Sequence, residues 1–312
     1  MADAARKSYA FGPVPSRRLG RSLGVDPVPF KTCTYDCIYC QLGSTTFKTV
    51  ERREYAPVEE ILADVAECLG RGPKPDYVTL AGSGEPTLHS GLGRIIEGIR
   101  KLTTTTVAIL TNGSLLSDPQ VRADCAKADL VIPSLDAGDE ELFQKIHRPA
   151  PGLTLEKHVR GIVDFRREFR GRLYIEVFLL DGINANEKEV LKIRARVDRI
   201  GPDKVQLNTA SRPPTESYAR AVPADEMQKL ARLFNPPAEV AASGVEMHQG
   251  PGIRADENQV LDLVSRHPCT ADDVAAGLGI DAEQAKKLLE NLAAQDRIEA
   301  VVQGGRQFFR AK

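Results

Sequence analysis

The sequence predicts an α/β protein: a partial (β/α)6 TIM-like barrel over residues 1–250, then a small winged helix-turn-helix domain over residues 256–312. Three observations carry this expectation. Short, nearly continuous apolar runs alternate with amphipathic stretches, the pattern of parallel strands joined by helical crossovers. Glycines and polar residues gather where those runs end, which is where open parallel sheets bind ligands. Near Pro251 and Gly252 the pattern breaks, and a shorter unit with different spacing follows.

The first strand is expected near residues 22–26 and leads into a cysteine-rich loop. Helix and strand then alternate: helix 57–70, strand 77–81, helix 91–102, strand 106–111, helix 118–128 and strand 130–136. Helix 154–169, strand 173–180, helix 186–200 and strand 204–209 complete about six βα units. That number suits an open barrel better than a closed eight-stranded one. The pattern loosens after Arg212-Pro213-Pro214, with one helix at 224–234. In the tail, helix 257–266 precedes helix 270–278, which has Thr270 as its N-cap and Gly279 at its end. Helix 281–295 and a hairpin, 298–303 with 306–309 around Gly304-Gly305, finish the chain.

The composition is that of a globular protein, with 42% hydrophobic and 27% charged residues. A net charge of −1 argues against a polyanion binder as a whole. Residues 1–55 nonetheless hold nine Lys and Arg against five Asp and Glu, a hint of an anionic substrate around the cysteine loop. No apolar run reaches the 18 residues of a membrane helix, and residues 1–18 lack an apolar signal core. A cytoplasmic location follows as an expectation, and there clustered cysteines mean metal or redox chemistry rather than disulfides. Cys68, Cys125 and Cys269 are scattered and read as small buried hydrophobes.

Cys33, Cys37 and Cys40 are spaced C-x3-C-x2-C. Three thiolates on one short loop can hold three corners of a four-iron cluster. The fourth iron is then open, and an open position signals chemistry rather than scaffolding. The alternative is zinc, which wants a fourth Cys or His close by; the nearest histidine in sequence is His89. Gly84-Glu85-Pro86, Thr111-Asn112-Gly113, Ser134 with Asp136, and Asn208-Thr209 fall at successive strand ends. Singly, each reads as a cap or a turn. Together on the cysteine rim they favour a cofactor site. His147 reads as a helix-end residue.

With Tyr39 ahead of the last cysteine and these rim motifs in order, residues 11–212 resemble the radical S-adenosylmethionine (SAM) superfamily. The resemblance implies a [4Fe-4S] cluster on Cys33, Cys37 and Cys40, with the amine and carboxylate of SAM on the open iron. It implies that Glu85, after Gly84, accepts from the SAM amine; Ser83 stands where many members have a second glycine. Ser134 and Asp136 are then expected on the ribose, and Glu176 and Asn208 on ribose or adenine. Tyr39 is expected at the adenine, and Thr111 and Asn112 at the methionyl end or the substrate. A one-electron donor such as flavodoxin or ferredoxin reduces the cluster, SAM is cleaved, and a 5′-deoxyadenosyl radical takes a hydrogen from substrate.

Residues 11–20, read through Gly24-Val25-Asp26, look like the branch grouped with wyosine-type tRNA-modifying synthases. Arg17, Arg18, Arg21 and Arg212 are candidate substrate contacts, the first three as phosphate partners or as braces of the cysteine loop. No cysteine precedes Cys33, so the second cluster of the wyosine synthases is not expected. Residues 256–312 hold seven Lys and Arg against ten Asp and Glu, net −3, which argues against duplex DNA. Only the wing, residues 297–312, is basic, at four against one. Three readings result: a radical SAM enzyme acting on RNA, the same chemistry on a peptide or protein held by the winged helix, or an iron–sulfur redox-sensing transcription regulator. The last leaves the strand-end residues unexplained.

Overall fold

The computed structural model describes residues 8–16, 18–71, 74–241 and 255–312. Pro251 and Gly252, expected in the linker, lie outside them, as does Arg17. The chain opens with an antiparallel hairpin, β1 (Ala10–Ser16) and β2 (Gly20–Val25). Two short strands, β3 (Thr32–Cys33) and β4 (Phe47–Lys48), pair in parallel at the two ends of the cysteine loop. Helix and strand then alternate through α1 (Val58–Arg71), β5 (Tyr77–Leu80), α2 (Leu92–Leu102), β6 (Thr106–Thr111), α3 (Pro119–Cys125) and β7 (Leu130–Pro133). The series continues with α4 (Glu140–His147), α5 (Leu155–Glu168), β8 (Arg172–Leu179), α6 (Glu187–Ile200) and β9 (Lys204–Thr209), then α7 (Ala224–Ala231) and β10 (Glu239–Val240).

The strands form one sheet in the order β1-β2-β5-β6-β7-β8-β9-β10, parallel except at β1. The six expected parallel strands are β2 and β5 to β9. Two were not expected: β1 and β10. Gly12, Pro13 and Pro15 spoil the strand pattern of β1, and proline is tolerated there because β1 is an edge. α4, an eight-residue helix capped by the Asp139 side chain, was not in the expected alternation, but it ends at His147, as the helix-end reading of that residue expects.

Alternation along β8 shows how the layers divide. Leu173, Ile175, Val177 and Leu179 are fully buried in the core shared with the helices. Glu176 and Phe178, on the opposite face, line a cavity inside the barrel. The β1–β2 turn folds under the amino end of the sheet, where Leu19 is buried among Ala108, Leu130 and Ile132. Helix ends follow ordinary rules: Thr154 and Asn186 cap α5 and α6, and Gly201 closes α6 at φ 64°.

Residues 255–312 form α8 (Glu257–Val264), α9 (Ala271–Leu278), α10 (Ala282–Ala294) and an antiparallel hairpin, β11 (Ile298–Gln303) with β12 (Arg306–Ala311). They pack around their own buried cluster, which includes Val260, Val274, Leu289 and Phe309. Gly304 and Gly305 take positive φ in the tight turn. Arg266 fastens this unit to the barrel. It is 5% exposed, donates to the Ser8 carbonyl at 2.9 Å, and lies 4.2 Å above the Phe11 ring. Among the described residues, no helix is long and apolar enough to cross a membrane.

Candidate active site

The cysteine loop is held from several sides. Tyr35 and Ile38 are buried anchors between the cysteines. The Asp36 and Ile38 amides donate to the carbonyls of His147 and Ile146 at the end of α4, at 2.9 and 3.0 Å. The Ala150 amide donates to the Thr34 carbonyl, and the Glu85 amide to that of Thr32. Gly84 is required at that last contact, because a Cβ there would stand 2.0 Å from the Thr32 carbonyl oxygen. Its small size serves the loop's own backbone.

Each thiol meets a side-chain nitrogen, and Cys33 also the Tyr35 backbone amide. Asn112 Nδ2 is 3.5 Å from Cys33 Sγ, His147 Nδ1 is 3.3 Å from Cys37 Sγ, and Lys31 Nζ is 3.3 Å from Cys40 Sγ. Burial pushes the Cys33 thiol up to about 12, with the Glu85 carboxylate adding to it. Burial likewise lifts Cys37 well above its usual value, seconded by Cys33. Such desolvated thiols are neutral unless a cation sits on them. His147 is pushed down to about 3, first by burial and then by His158, so its imidazole is neutral.

A cavity of about 390 Å³ runs from this loop into the barrel. Cys33, Tyr39 and Cys40 border it at the rim, with Gly84, Glu85, Thr111 and Asn112. Ser134, Glu176 and Asn208 line it further round the sheet. Arg212 borders it after β9, bonded to Gln41 at 3.2 Å. Arg18 enters from the β1–β2 turn, and Arg266 and His267 from the C-terminal unit.

Several of these groups already have partners. The Glu85 Oε1 accepts from the Thr87 amide and from the hydroxyls of Thr87 and Thr111, at 3.0, 2.6 and 2.6 Å. Its Oε2 accepts from the Asn112 amide at 2.7 Å, which leaves that oxygen capacity for one more donor. Burial raises the Glu85 carboxyl, against these hydrogen bonds. Glu85 is thus both a cap, for the turn Pro86–Leu88, and a cavity residue. Glu176 is paired with Arg18 and accepts from Asn208 Nδ2 at 3.0 Å.

Two of the residues expected to contact SAM or substrate do not line the cavity. Asp136 is 1% exposed and is not among the residues that border the cavity. Its carboxylate accepts from Tyr39 OH at 2.5 Å and the Phe178 amide at 2.8 Å, behind the Tyr39 ring, which stacks on Phe178 at 4.0 Å. Asp136 therefore braces the aromatic wall. Arg21 sits at the amino end of β2, where its amide bonds to Asp76, at the opposite end of the sheet from the cysteines. A parallel strand has two ends, and only one carries the rim. Lys31 and Arg266 were missed, since no motif marks them; His147 meets the loop only because α4 ends there.

Three thiols thus share a loop at the carboxyl rim of an open parallel barrel, two of them bordering a polar cavity. The Radical SAM superfamily model matches residues 28–193, and the chain belongs to that superfamily. Membership implies a [4Fe-4S] cluster and SAM. Within it the chain is one of the UPF0026 proteins, being 40% identical over 230 residues to the UPF0026 protein of Methanocaldococcus jannaschii, with 73% of this chain and 71% of that one covered. It is also 40% identical over 298 residues to a Brachyspira hyodysenteriae protein named GTPase Obg; 94% of this chain is covered, but the chain spans only 44% of that protein. A radical SAM methyltransferase from Sphaerobacter thermophilus has a similar structure, with TM-score 0.55 and 17% identity over 72% of this chain and 67% of that one. So does anSMEcpe with bound AdoMet, with TM-score 0.53 and 18% identity over 70% and 63%. Both likenesses concern the fold.

The residues fit the implied groups. Three thiols share one loop beside a cavity whose volume lies in the range of small-molecule sites. The zinc alternative gains a histidine, His147, whose Nδ1 lies 3.3 Å from Cys37 Sγ.

Proposed function

We propose that this chain is a radical SAM enzyme in which Cys33, Cys37 and Cys40 hold a [4Fe-4S] cluster and the adjoining cavity holds SAM. The observation that carries the reading is that one cavity is bordered by cluster cysteines and by the polar ends of β5, β6 and β9. When bound, the two groups supply a 5′-deoxyadenosyl radical that abstracts a hydrogen from substrate, using one electron from a donor of the flavodoxin or ferredoxin kind. The chain's own part is to bind and orient. The free capacity of Glu85 Oε2 suits an amine donor. Thr111 and the Asn112 amide fix that carboxylate in place. Ser134, Glu176 and Asn208 offer polar atoms along the cavity wall for a nucleoside. The Tyr39 ring closes one side, and the buried Asp136 holds it there.

For the substrate, the resemblance of residues 11–20 to wyosine-type synthases favours RNA. Among the described candidates, Arg18 is paired with Glu176 and Arg21 lies at the far end of the sheet, while Arg212 borders the cavity and is an arginine that a phosphate can reach. We read residues 255–312 as a winged helix, with α9 and α10 as the helix-turn-helix and β11–β12 as the wing. A peptide or protein substrate is the second reading. It is favoured by Arg266 and His267 of that unit bordering the cavity, and by the unit's acidic balance.

The test is anaerobic. Reconstituted protein with reductant and SAM releases 5′-deoxyadenosine, and Cys37→Ala does not. Wild-type protein that forms no cluster would overturn the function. Duplex-DNA binding that depends on the cluster, without SAM turnover, would point instead to a redox-sensing regulator. RNA that co-purifies and falls away with salt supports the RNA reading; its absence with peptide capture supports the other.

A further inference from the structure

We propose that Lys31 is a positioning residue that sets the reduction potential of the cluster by placing its ammonium against the sulfur of Cys40. The inference rests on the function proposed above, and it starts from two independent features of Lys31. The first is burial. Lys31 is 3% exposed, unusual for a lysine. Its Nζ donates to the Gly43 carbonyl and lies 3.3 Å from Cys40 Sγ. The second is backbone. Lys31 has φ 59°, in the left-handed region, which disfavours a side chain and where glycine or asparagine is the usual occupant. Its own amide donates to the Ser83 carbonyl at 2.7 Å, and its carbonyl accepts from Phe47 at 3.1 Å, so the conformation is held from both sides. A strained backbone that delivers a buried amine to a cluster ligand points to a role at that ligand.

The three cysteine sulfurs are not served alike. Cys33 faces the side-chain amide of Asn112, and Cys37 an imidazole nitrogen of His147. Lys31 alone of the three brings a formal charge. Hydrogen bonds and charge at the sulfurs are among the levers that set iron–sulfur potentials. One electron entering from an external donor makes the cluster more negative, and a cation a few ångströms away in a low-dielectric setting favours that state. No bond forms or breaks at Lys31; it shifts the equilibrium of an electron transfer.

The experiment compares wild-type protein, Lys31→Met and Lys31→Arg, each reconstituted anaerobically and assayed for iron and sulfide. Each is then titrated potentiometrically with dithionite, followed by the electron paramagnetic resonance of the reduced cluster. Lys31→Met should load like wild type, with a more negative midpoint. The expected size is at least a tenfold lower reduced-to-oxidised ratio at the wild-type midpoint, which is 59 mV for a one-electron couple. Lys31→Arg should recover most of that shift. A loaded Lys31→Met with an unchanged midpoint overturns the proposal. If Lys31→Met does not load, Lys31→Gln takes its place in the titration; if that fails too, Lys31 is a staple for the loop and the proposal is wrong. A wild-type protein that never takes up a cluster overturns the proposed function itself, a separate result from a loaded, SAM-cleaving enzyme indifferent to Lys31.

Discussion

The guanidinium of Arg18, carried by the turn of the N-terminal hairpin, is paired with the carboxylate of Glu176 on β8. The two residues are 158 positions apart, and their side chains are 23% and 12% exposed. The pair ties the first strands to the fifth parallel strand across the cavity, while Leu19 plugs the barrel below. An arginine that reads from sequence as a phosphate contact is thus an internal strut, and a glutamate that reads as a ribose contact is its partner.

Breaking this pair should destabilise the barrel. Arg18→Ala and Glu176→Ala should each cost roughly 2 kcal/mol, because the survivor is left as a poorly solvated charge. The double variant should cost less than the sum. Denaturant unfolding of all four proteins gives the coupling; strict additivity would show that the two side chains do not interact.

Gly84→Ala should disturb the cysteine loop from outside it. The added methyl meets the Thr32 carbonyl at 2.0 Å, one residue from Cys33. We expect a loss of about 1–3 kcal/mol and lower iron content after reconstitution. Gly70→Ala is the control: nothing lies within 4 Å of its Cβ position in α1, and stability there should rise by roughly 0.5–1 kcal/mol. Equal iron content in wild type and Gly84→Ala would contradict the packing account.

Asp136 gives a pH dependence of definite sign. Burial raises its carboxyl from 3.8 to about 7, against the opposing donations from Tyr39 and the Phe178 amide. The folded state therefore holds a proton that the unfolded chain releases near the ordinary carboxyl value. Its contribution to stability is greatest below that value, declines as pH rises to about 7, and is flat above. The difference in unfolding free energy between cluster-free wild type and Asp136→Asn should fall through that window and then level off. A difference independent of pH would mean that Asp136 ionises normally.

Arg266→Ala should loosen the C-terminal unit. It removes a hydrogen bond to Ser8 and a cation stacked on Phe11, together worth about 1–3 kcal/mol. Limited proteolysis should then release fragments ending near residues 255–270 faster than in wild type. An unchanged digestion rate would show that Val14 and its apolar neighbours suffice to hold the interface.

The strands legible in the sequence were those whose signal is local. Residues 106–111 and 204–209 are placed to the residue, the first as a nearly continuous apolar run and the second as an alternation of polar and apolar residues, each bounded by turns. β1 was not legible, because its prolines and glycine deny the pattern that only an edge position permits. Of α4, only the end was legible, in the reading of His147 as a helix-end residue.

What the sequence determined by itself was the cysteine spacing, the βα alternation and the polar strand ends, hence the chemical class of the site. Those signals are carried by neighbours in the chain and survive without a fold. What only the tertiary structure decided was the allegiance of each charged group. Arg18 belongs to Glu176, Asp136 to Tyr39, and Lys31 to Cys40. A buried charge takes whichever partner the packing brings within about 3 Å, and that partner lies far along the chain as often as near.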